Sequence, residues 1–569
     1  MQIARSRILL WSGLSGVLWA MAWPGIGGLA PLAFIAWLPL LHARRSHRTV
    51  ASGRGSFLPY VLLATFIWNA SCAWWFYCVS EPIGTRLISG TAPILVNTLL
   101  MALPWTMADL VRRRFGERAA TLGLIALWLA FERLHHDWDL QWPWFSIGNV
   151  FAEHPGLIQW YDHTGMLGGT LWVLAVNLLL DRMFVHGRLH GVSFSTALVP
   201  LCVIIIPWSL SAWRFHHHVE EGHPVEVVVV QPNIDPYDEK FGGIDAMEQL
   251  DRMLALADSA MGPTTEAVIM PETALQEGAT VDMATGRPVY RGLWENWIDR
   301  SQSVEHLQRF RSSHPGTAIL VGMSSDSLYT DRDLAPAIAR PLFRDLPPDR
   351  AMDQRWYVPF NAALFLPAHG AIHTYHKSKL VAGVEALPFE SLLGPIAAFT
   401  VDLGGTTGSL GGQEERSVLR DPSSRLAIAP AICYESVFGE HVAAHVRNGA
   451  NLIAIMTNDG WWGDSPGHVQ HLSFASIRAI ETRRAVARSA NTGISCFVDQ
   501  RGVIRDRTEW WRMDARRSTV LLNDELTFYV RHGDLIGRAA VAIAAALLLG
   551  LVIAICARRR TRGSGSASS

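Results

Sequence analysis

The distribution of apolar residues constrains this chain more than any other feature. Long apolar runs separated by arginine-rich loops fill residues 1–213 and return at 535–557, whereas residues 214–533 mix apolar and polar residues as a globular domain does. The middle portion, roughly 320 residues long, is large enough for a hydrophobic core of its own. Because 49% of the 569 residues are hydrophobic and 23 are Trp, the composition excludes a disordered chain.

Eight apolar segments have about the length that a bilayer requires. They are residues 8–23, 27–42, 57–79, 88–111, 119–134, 165–181, 192–213 and 535–557. Arginines cluster on alternate loops between these segments, and the positive-inside rule places such loops in the cytoplasm. A cleaved signal peptide ending near Ala22 is a second interpretation of the first segment, less favoured because further spans follow at once.

These charges predict a domain organisation with both termini in the cytoplasm. Residues 1–213 form a domain of seven spans, 214–533 a globular domain on the far side, 534–557 a last span and 558–569 a cytoplasmic tail. In a bacterium, the far side of the inner membrane is the periplasm. The net charge of −1 gives no indication of a nucleic-acid partner.

Strand-like apolar runs alternate with helix-like segments through residues 214–533, which predicts an α/β layered domain. Three of these runs lead into a reactive or charged residue: Glu272, Lys377 and Cys433. Because α/β sheets usually build their sites at strand ends, we expect the three side chains to converge. Residues 277–292 and 324–356 are predicted to be insertions.

These three residue types together suit acyl chemistry. A thiol must lose its proton to attack a carbonyl group, and Glu272 can accept that proton. Lys377 can stabilise the oxyanion that forms, together with a backbone N–H after Cys433, and it favours the thiolate. The alternative is a buried structural cysteine, a loop carboxylate and a surface lysine, but the chain has only three Lys among its 49 basic residues.

The motifs around these residues resemble those of the nitrilase superfamily. They are Pro271-Glu272, Tyr375-x-Lys377-x-x-Leu380-Val381 and Cys433-Tyr434-Glu435. Eight spans enclosing such a domain are similar to the apolipoprotein N-acyltransferases, over nearly the whole chain. The likeness extends to Gln231-Pro232-Asn233, Lys240-Phe241, residues 457–464 and Asn491-Thr492-Gly493.

The resemblance implies an αββα sandwich beside an α-helical membrane bundle of eight spans. It implies that Glu272 is the base, Lys377 the oxyanion stabiliser and Cys433 the nucleophile. Supporting residues would be Glu385, Tyr434 and Glu435, and substrate-binding residues would be Phe241, Trp461 and Trp462. The chain departs from the family where Ala382-Gly383-Val384 replaces Pro-Phe-Gly and where Phe241 replaces Trp.

The activity that the resemblance implies is transfer of an acyl chain from a phospholipid to a lipoprotein. The acyl chain would first form a thioester with Cys433 and would then be transferred to the amine of an N-terminal diacylglyceryl-cysteine. The partners would be the phospholipid donor, the diacylglyceryl apolipoprotein and the bilayer. No cofactor or metal is expected, since the ester donor already carries the activation, and we expect a monomer in the bacterial inner membrane with its catalytic domain in the periplasm.

Several alternatives stay open at the level of sequence. The triad also fits a membrane-tethered nitrilase-type amidase, and a transporter or lipid-binding module with an inactive enzyme domain is a third interpretation. Cys433 and Cys496 lie in the globular domain, but Cys496 falls within a predicted core strand and pairing is not expected. His468 and His471 open a helix and are interpreted as capping or packing residues.

Overall fold

The structure is a computed structural model. It describes residues 2–50, 55–185, 194–240, 243–281, 288–342, 354–389 and 409–564. The chain divides into two compact units. The first contains Met1–Tyr77, Arg86–His217 and His532–Ser569, and the second contains Cys78–Thr85 and His218–Arg531.

The first unit is built from α-helices. The longer ones are Gln2–Ala22, Leu38–Val50, Leu58–Ala73, Ile83–Met101, Leu103–Phe115, Glu117–Leu134, Met166–Val185, Phe194–His217 and Leu535–Ser564. In the part of the chain that the structure describes, five segments are long and apolar enough to cross a membrane: Leu58–Cys78, Ile83–Phe115, Met166–Met183, Leu198–His217 and Leu535–Ala557. A helix suits lipid because it satisfies every backbone hydrogen bond within the segment.

The predicted span at residues 27–42 is not one helix. It contains the short 3-10 helix Ala30–Phe34 and the start of helix Leu38–Val50. Pro31 and Pro39 account for the break, because proline lacks the backbone N–H that an α-helix interior needs. Asn177 satisfies the backbone groups that the break leaves: its Oδ1 accepts from the N–H of Trp37 at 2.9 Å, and its Nδ2 donates to the carbonyl of Ala33 at 2.8 Å.

The second unit contains two larger β-sheets and a hairpin. The strands are β1 (His223–Gln231), β2 (Thr265–Ile269), β3 (Glu277–Val281), β4 (Pro288–Arg291), β5 (Leu293–Trp294), β6 (Ala318–Tyr329), β7 (Arg340–Pro341), β8 (Trp356–Leu366), β9 (His373–His376), β10 (Leu419–Arg420), β11 (Ala427–Ile432), β12 (Leu452–Thr457), β13 (Ala485–Ala490), β14 (Cys496–Val498), β15 (Ile504–Arg505) and β16 (Asp514–Leu522).

The two larger sheets are mixed. In the first, the order is β16-β1-β2-β6-β8-β7, with β5 beside β6 and β9 beside β8, and β1, β2 and β6 run parallel. In the second, the order is β10-β11-β12-β13-β14-β15, and β11, β12 and β13 run parallel. The carboxyl ends of the parallel strands therefore share one edge in each sheet.

The sheets pack face to face between two helical layers. Val225, Val227 and Val229 of β1 enter a core shared with β11, β12 and β13, whereas Val228 and Val230 face the opposite way. The alternation follows from the two-residue period of a strand. Helices Ala246–Ala260 and Gln302–Ser313 cover the outer face of the first sheet, and Gly439–Arg447 and Pro466–Thr482 cover that of the second. The unit is an αββα sandwich.

The part predicted as an insertion at residues 324–356 is shorter than expected. β6 continues to Tyr329, and β8 begins at Trp356, so both ends of this segment belong to the first sheet. The two strands pair antiparallel along eleven residue pairs, from Ile319–Leu366 to Tyr329–Trp356. The polar residues after Gly322 obscured this strand, because they remove the apolar run by which its first half is recognised.

Candidate active site

A buried lysine joins two carboxylates at the edge of the first sheet. Nζ of Lys377 donates to Oε1 of Glu385 at 2.8 Å and to Oε1 of Glu272 at 3.2 Å. Lys377 is 1% exposed and Glu272 6%. Burial acts to lower the pKa of Lys377, but Glu385 and Glu272 outweigh it and hold that pKa above its ordinary value. The ammonium therefore stays charged within the protein.

Asn361 completes this cluster and was not predicted from the sequence. Its Nδ2 donates to Oε1 of Glu272 at 2.7 Å and to Oε1 of Glu385 at 2.9 Å, and its carbonyl accepts from the N–H of Lys377 at 2.9 Å. Asn361 lies in β8, whose partner β9 leads into Lys377. A lone Asn in an apolar run was the available signal, since a buried amide needs partners.

The turn that presents Glu272 is held by another lysine. Nζ of Lys240 donates to the carbonyl of Glu272 at 2.9 Å and to Oγ1 of Thr273 at 2.6 Å. Thr273 has a positive φ of 47°, a conformation that costs a non-glycine residue energy. Burial lowers the pKa of Lys240 to about 8. This lysine therefore secures the backbone from which Glu272 projects.

Cys433 follows directly after β11 and begins the 3-10 helix Cys433–Val437. Its φ is +49°, in the left-handed region that non-glycine residues seldom occupy. Burial raises the pKa of the Cys433 thiol and the charge of Glu272 raises it further, while Lys377 opposes both. The resting thiol is therefore neutral, and it needs a base before it can attack a carbonyl group.

Glu435 ties the Cys433 turn to the lysine loop. Its Oε2 accepts from the N–H of Ile432 at 2.8 Å. Its Oε1 accepts from the N–H of Ser378 at 2.6 Å, from that of Lys379 at 3.2 Å and from the hydroxyl of Tyr375 at 2.8 Å. Burial raises the pKa of Glu435, although the donors from Ile432 and Ser378 act in the opposite direction. The carboxylate thus fixes two loops from different sheets relative to each other.

The remaining sequence-predicted residues lie in different surroundings. Tyr434 is buried, and its ring meets that of Phe438 edge-on at 5.0 Å. Trp461 and Trp462 lie in the 3-10 helix Asp459–Trp462, which follows β12, and both are half-buried. Trp462 meets the ring of His471 at 6.1 Å. Phe241 lies outside the described residues.

The structure brings Glu272, Lys377, Glu385, Cys433 and Glu435 into one site. His471, interpreted from sequence as a capping or packing residue, also reaches it: its Nε2 lies 3.1 Å from the carbonyl oxygen of Cys433. Cys433 and Cys496 are both free thiols. Among the described residues, no group of three or more His, Cys, Asp or Glu side chains is placed to hold a metal ion.

The amino-acid sequence matches two protein families in succession. Residues 15–179 match the apolipoprotein N-acyltransferase N-terminal domain, and residues 227–523 match the carbon-nitrogen hydrolase family. Similar proteins include the apolipoprotein N-acyltransferase of Chlorobaculum tepidum, which is 29% identical over 94% of this chain and 95% of its own. That of Geobacter metallireducens is 28% identical over 98% of this chain and 96% of its own.

Solved structures resemble the chain over about half its length. A mutant amidase of the nitrilase superfamily from Nesterenkonia AN1 covers 57% of this chain and 99% of its own, at 14% identity and a TM-score of 0.36. The nitrilase-superfamily protein Nit3 of Saccharomyces cerevisiae covers 55% of this chain and 96% of its own, at 17% identity and a TM-score of 0.34. The sequence matches, rather than these structural likenesses, carry the family relationship.

Proposed function

The chain belongs to the carbon-nitrogen hydrolase family, and we propose that it is a membrane-embedded acyltransferase that uses the site of that family to N-acylate lipoproteins. The observation that carries the proposal is the combination of two features in one chain. The first is the buried group of Glu272, Lys377 and Cys433. The second is an apolar helical unit whose sequence matches the N-terminal domain of apolipoprotein N-acyltransferases.

The first half-reaction would form a thioester. Glu272 accepts the proton of the Cys433 thiol, and the sulfur attacks the ester carbonyl carbon of a phospholipid. The oxyanion of the tetrahedral intermediate is stabilised by Lys377 and by the backbone N–H of Tyr434. The carbon–oxygen bond then breaks, and Glu272 returns the proton to the oxygen of the departing lysophospholipid. The acyl chain remains on Cys433.

The second half-reaction would consume the thioester. The N-terminal amine of a diacylglyceryl-cysteine lipoprotein attacks the thioester carbon and gives a proton to Glu272. The carbon–sulfur bond breaks, an amide forms, and the sulfur of Cys433 recovers a proton from Glu272. Neither half-reaction needs a nucleotide, because the phospholipid ester supplies the activated acyl group. Trp461, Trp462 and Phe241 would contact the lipids, and the two tryptophans would help to exclude water from the thioester.

The proposal includes a membrane topology. Eight segments would cross the inner membrane of a bacterium, with both termini in the cytoplasm and the αββα unit in the periplasm. The alternating arginine loops support this orientation through the positive-inside rule. The segment at 27–42 would cross as a broken helix, which lipid tolerates where neighbouring side chains bind the freed backbone groups, as Asn177 does.

The test is mass spectrometry of the purified full-length protein after incubation with phospholipid. We expect an added acyl mass on the peptide that contains Cys433, released by hydroxylamine as a thioester is. Cys433→Ala should carry no such mass, and Cys496→Ala should carry as much as the wild type. An acyl group found on Cys496, or on neither cysteine, would contradict the proposed function.

A further inference from the structure

The carbonyl oxygen of Cys433 is held by two side chains that the mechanism above does not use. The hydroxyl of Ser436 donates to this oxygen at 2.7 Å, and Nε2 of His471 lies 3.1 Å from it. Nε2 of His471 also lies 3.0 Å from Oγ of Ser436. Both side chains are buried, at 2% and 1% exposure. The backbone of the nucleophile is therefore fixed by a specific polar contact.

The His471 ring is itself oriented by charged groups. Its Nδ1 lies 2.9 Å from Oδ1 of Asp459, and Oδ2 of Asp459 accepts from Nη2 of Arg488 at 2.5 Å. Burial acts to raise the pKa of Asp459, but Arg488 and His471 outweigh it and hold that pKa well below its ordinary value. The three side chains come from the turn after β12, helix Pro466–Thr482 and strand β13. They connect three elements to one backbone carbonyl.

Stability alone does not call for this arrangement. Buried ion pairs repay their desolvation poorly, and well-packed apolar residues of similar volume are often as stabilising. The left-handed backbone of Cys433 adds a further cost, because this conformation is unfavourable for a residue with a Cβ. A buried network that ends on the carbonyl of a strained nucleophile is typical of a site in which geometry is set for chemistry.

The geometry of the peptide bond shows what the contact achieves. In a trans peptide the C=O of one residue and the N–H of the next point in opposite directions. Holding the carbonyl of Cys433 against His471 and Ser436 therefore fixes the direction of the Tyr434 N–H, which points to the opposite side. That N–H is the backbone group proposed above to stabilise the oxyanion.

We propose that His471, oriented by Asp459 and Arg488, is a positioning residue that fixes the Cys433–Tyr434 peptide so that the Tyr434 N–H serves as an oxyanion donor. The inference rests on the proposed role of Cys433 as the acyl-accepting nucleophile. His471 would act through the backbone carbonyl of Cys433. Its effect is confined to steps in which a carbonyl oxygen becomes negatively charged.

Two amide variants separate this role from simple packing. In His471→Asn the amide nitrogen replaces Nδ1 and keeps the contact with Asp459, but the side chain is too short to reach the Cys433 carbonyl. In His471→Gln the longer side chain can place an N–H donor near the position of Nε2. His468→Ala is the matched control, because His468 lies one turn earlier on the same helix, is also buried and stacks on Trp510 at 3.9 Å.

Two reactions of the full-length protein in detergent supply the readout. Acylation of Cys433 by p-nitrophenyl butyrate passes through an oxyanion, and it is measured as the burst of nitrophenolate. Alkylation of Cys433 by iodoacetamide does not form an oxyanion. We expect His471→Asn to slow acylation by about 10²-fold, the scale of losing one oxyanion donor, and to change alkylation by less than about threefold. His471→Gln should stay within about tenfold of the wild type in acylation, since it restores a donor.

Three outcomes would overturn the inference. They are wild-type acylation in His471→Asn, equal losses of acylation and alkylation in that variant, and the same acylation loss in His468→Ala. The ester and the alkylating agent are not lipids, so this result does not depend on the proposed substrates. If phospholipid leaves no acyl group on the wild type while the nitrophenolate burst still depends on His471, the proposed function fails and the positioning role stands.

Discussion

The two sheets of the catalytic unit contribute to the site in different ways. From the first sheet come charged side chains, Glu272 and Lys377, which bond to each other directly. From the second comes a backbone: Cys433 sits in a strained conformation, and a buried histidine contacts its carbonyl oxygen. One side of the site supplies charge, and the other supplies geometry.

The buried charged groups on the two sides are stabilised in different ways. Lys377 remains charged because two carboxylates surround it, so its field at the thiol is permanent. On the other side, Asp459, His471 and Arg488 satisfy one another and contact the Cys433 turn through its carbonyl. Substitutions of Glu272 or Lys377 should therefore alter the charge-dependent steps, and substitutions of His471 should alter the placement of the Tyr434 N–H that stabilises the oxyanion.

The largest effect is expected at Lys377. Lys377→Arg should reduce acylation of Cys433 by about 10²–10³-fold, nearly as much as Lys377→Ala, because a planar guanidinium cannot occupy the point that an ammonium holds between two carboxylates. Lys379→Arg is the control and should remain close to wild type, since Nζ of Lys379 lies over the ring of Phe438 at 5.0 Å rather than within the cluster. The measurement is the rate of thioester formation. Equal sensitivity at the two lysines would contradict the assignment of charge to Lys377.

The next effect concerns Glu435, which connects the two sides. Glu435→Gln keeps one acceptor oxygen and replaces the other with an NH2 group, so it can accept from the N–H of Ser378 or from that of Ile432 but not from both. We expect the free energy of unfolding to fall by about 2 kcal/mol, the scale for losing a hydrogen bond to a buried charged group. Because Glu435 then no longer holds both loops, acylation and iodoacetamide alkylation of Cys433 should fall together. Loss of acylation alone, with unchanged thermal unfolding in detergent, would show that Glu435 acts on one side only.

The smallest expected effect is on the rate at which iodoacetamide alkylates Cys433. Substitutions of Glu272 and Lys377 should change this rate in opposite directions. Glu272 raises the pKa of the Cys433 thiol and Lys377 lowers it. At a pH below that pKa, Glu272→Gln should therefore speed alkylation by iodoacetamide on the order of tenfold for each pKa unit removed, although it abolishes acyl transfer. Lys377→Met should slow alkylation. The alkylation rate measured as a function of pH gives the pKa of the Cys433 thiol in each variant. A slower rate in Glu272→Gln would mean that the carboxylate does not act on the thiol through its charge.

The convergence of Glu272, Lys377 and Cys433 could be predicted from sequence, since each follows an apolar run that predicts a strand. Asn361 could not, because its contacts depend on the pairing of β8 with β9, which places its carbonyl 2.9 Å from the N–H of Lys377. The lone Asn in an apolar run indicates that its amide needs polar partners, but the local pattern does not identify them.

The contact of His471 with the Cys433 turn could not be predicted from sequence either, because it also depends on long-range packing. His471 lies 38 residues from Cys433 along the chain, and helix Pro466–Thr482 brings them together only after it packs on the second sheet. In the membrane unit, apolar length alone predicted a span at 27–42, but two prolines interrupt the helix there. In both cases the structure depends on tertiary packing, which cannot be inferred from the local sequence.

In the proposed reaction, an acyl group passes through Cys433 to an amine rather than to water. The most direct measurement follows lysophospholipid and free fatty acid after full-length protein is mixed with phospholipid. We expect an initial burst of lysophospholipid equal to the amount of enzyme, followed by continued release only after a diacylated lipopeptide is added. Rapid and sustained release of free fatty acid in the absence of any acceptor would contradict it, because water would then be the natural second substrate.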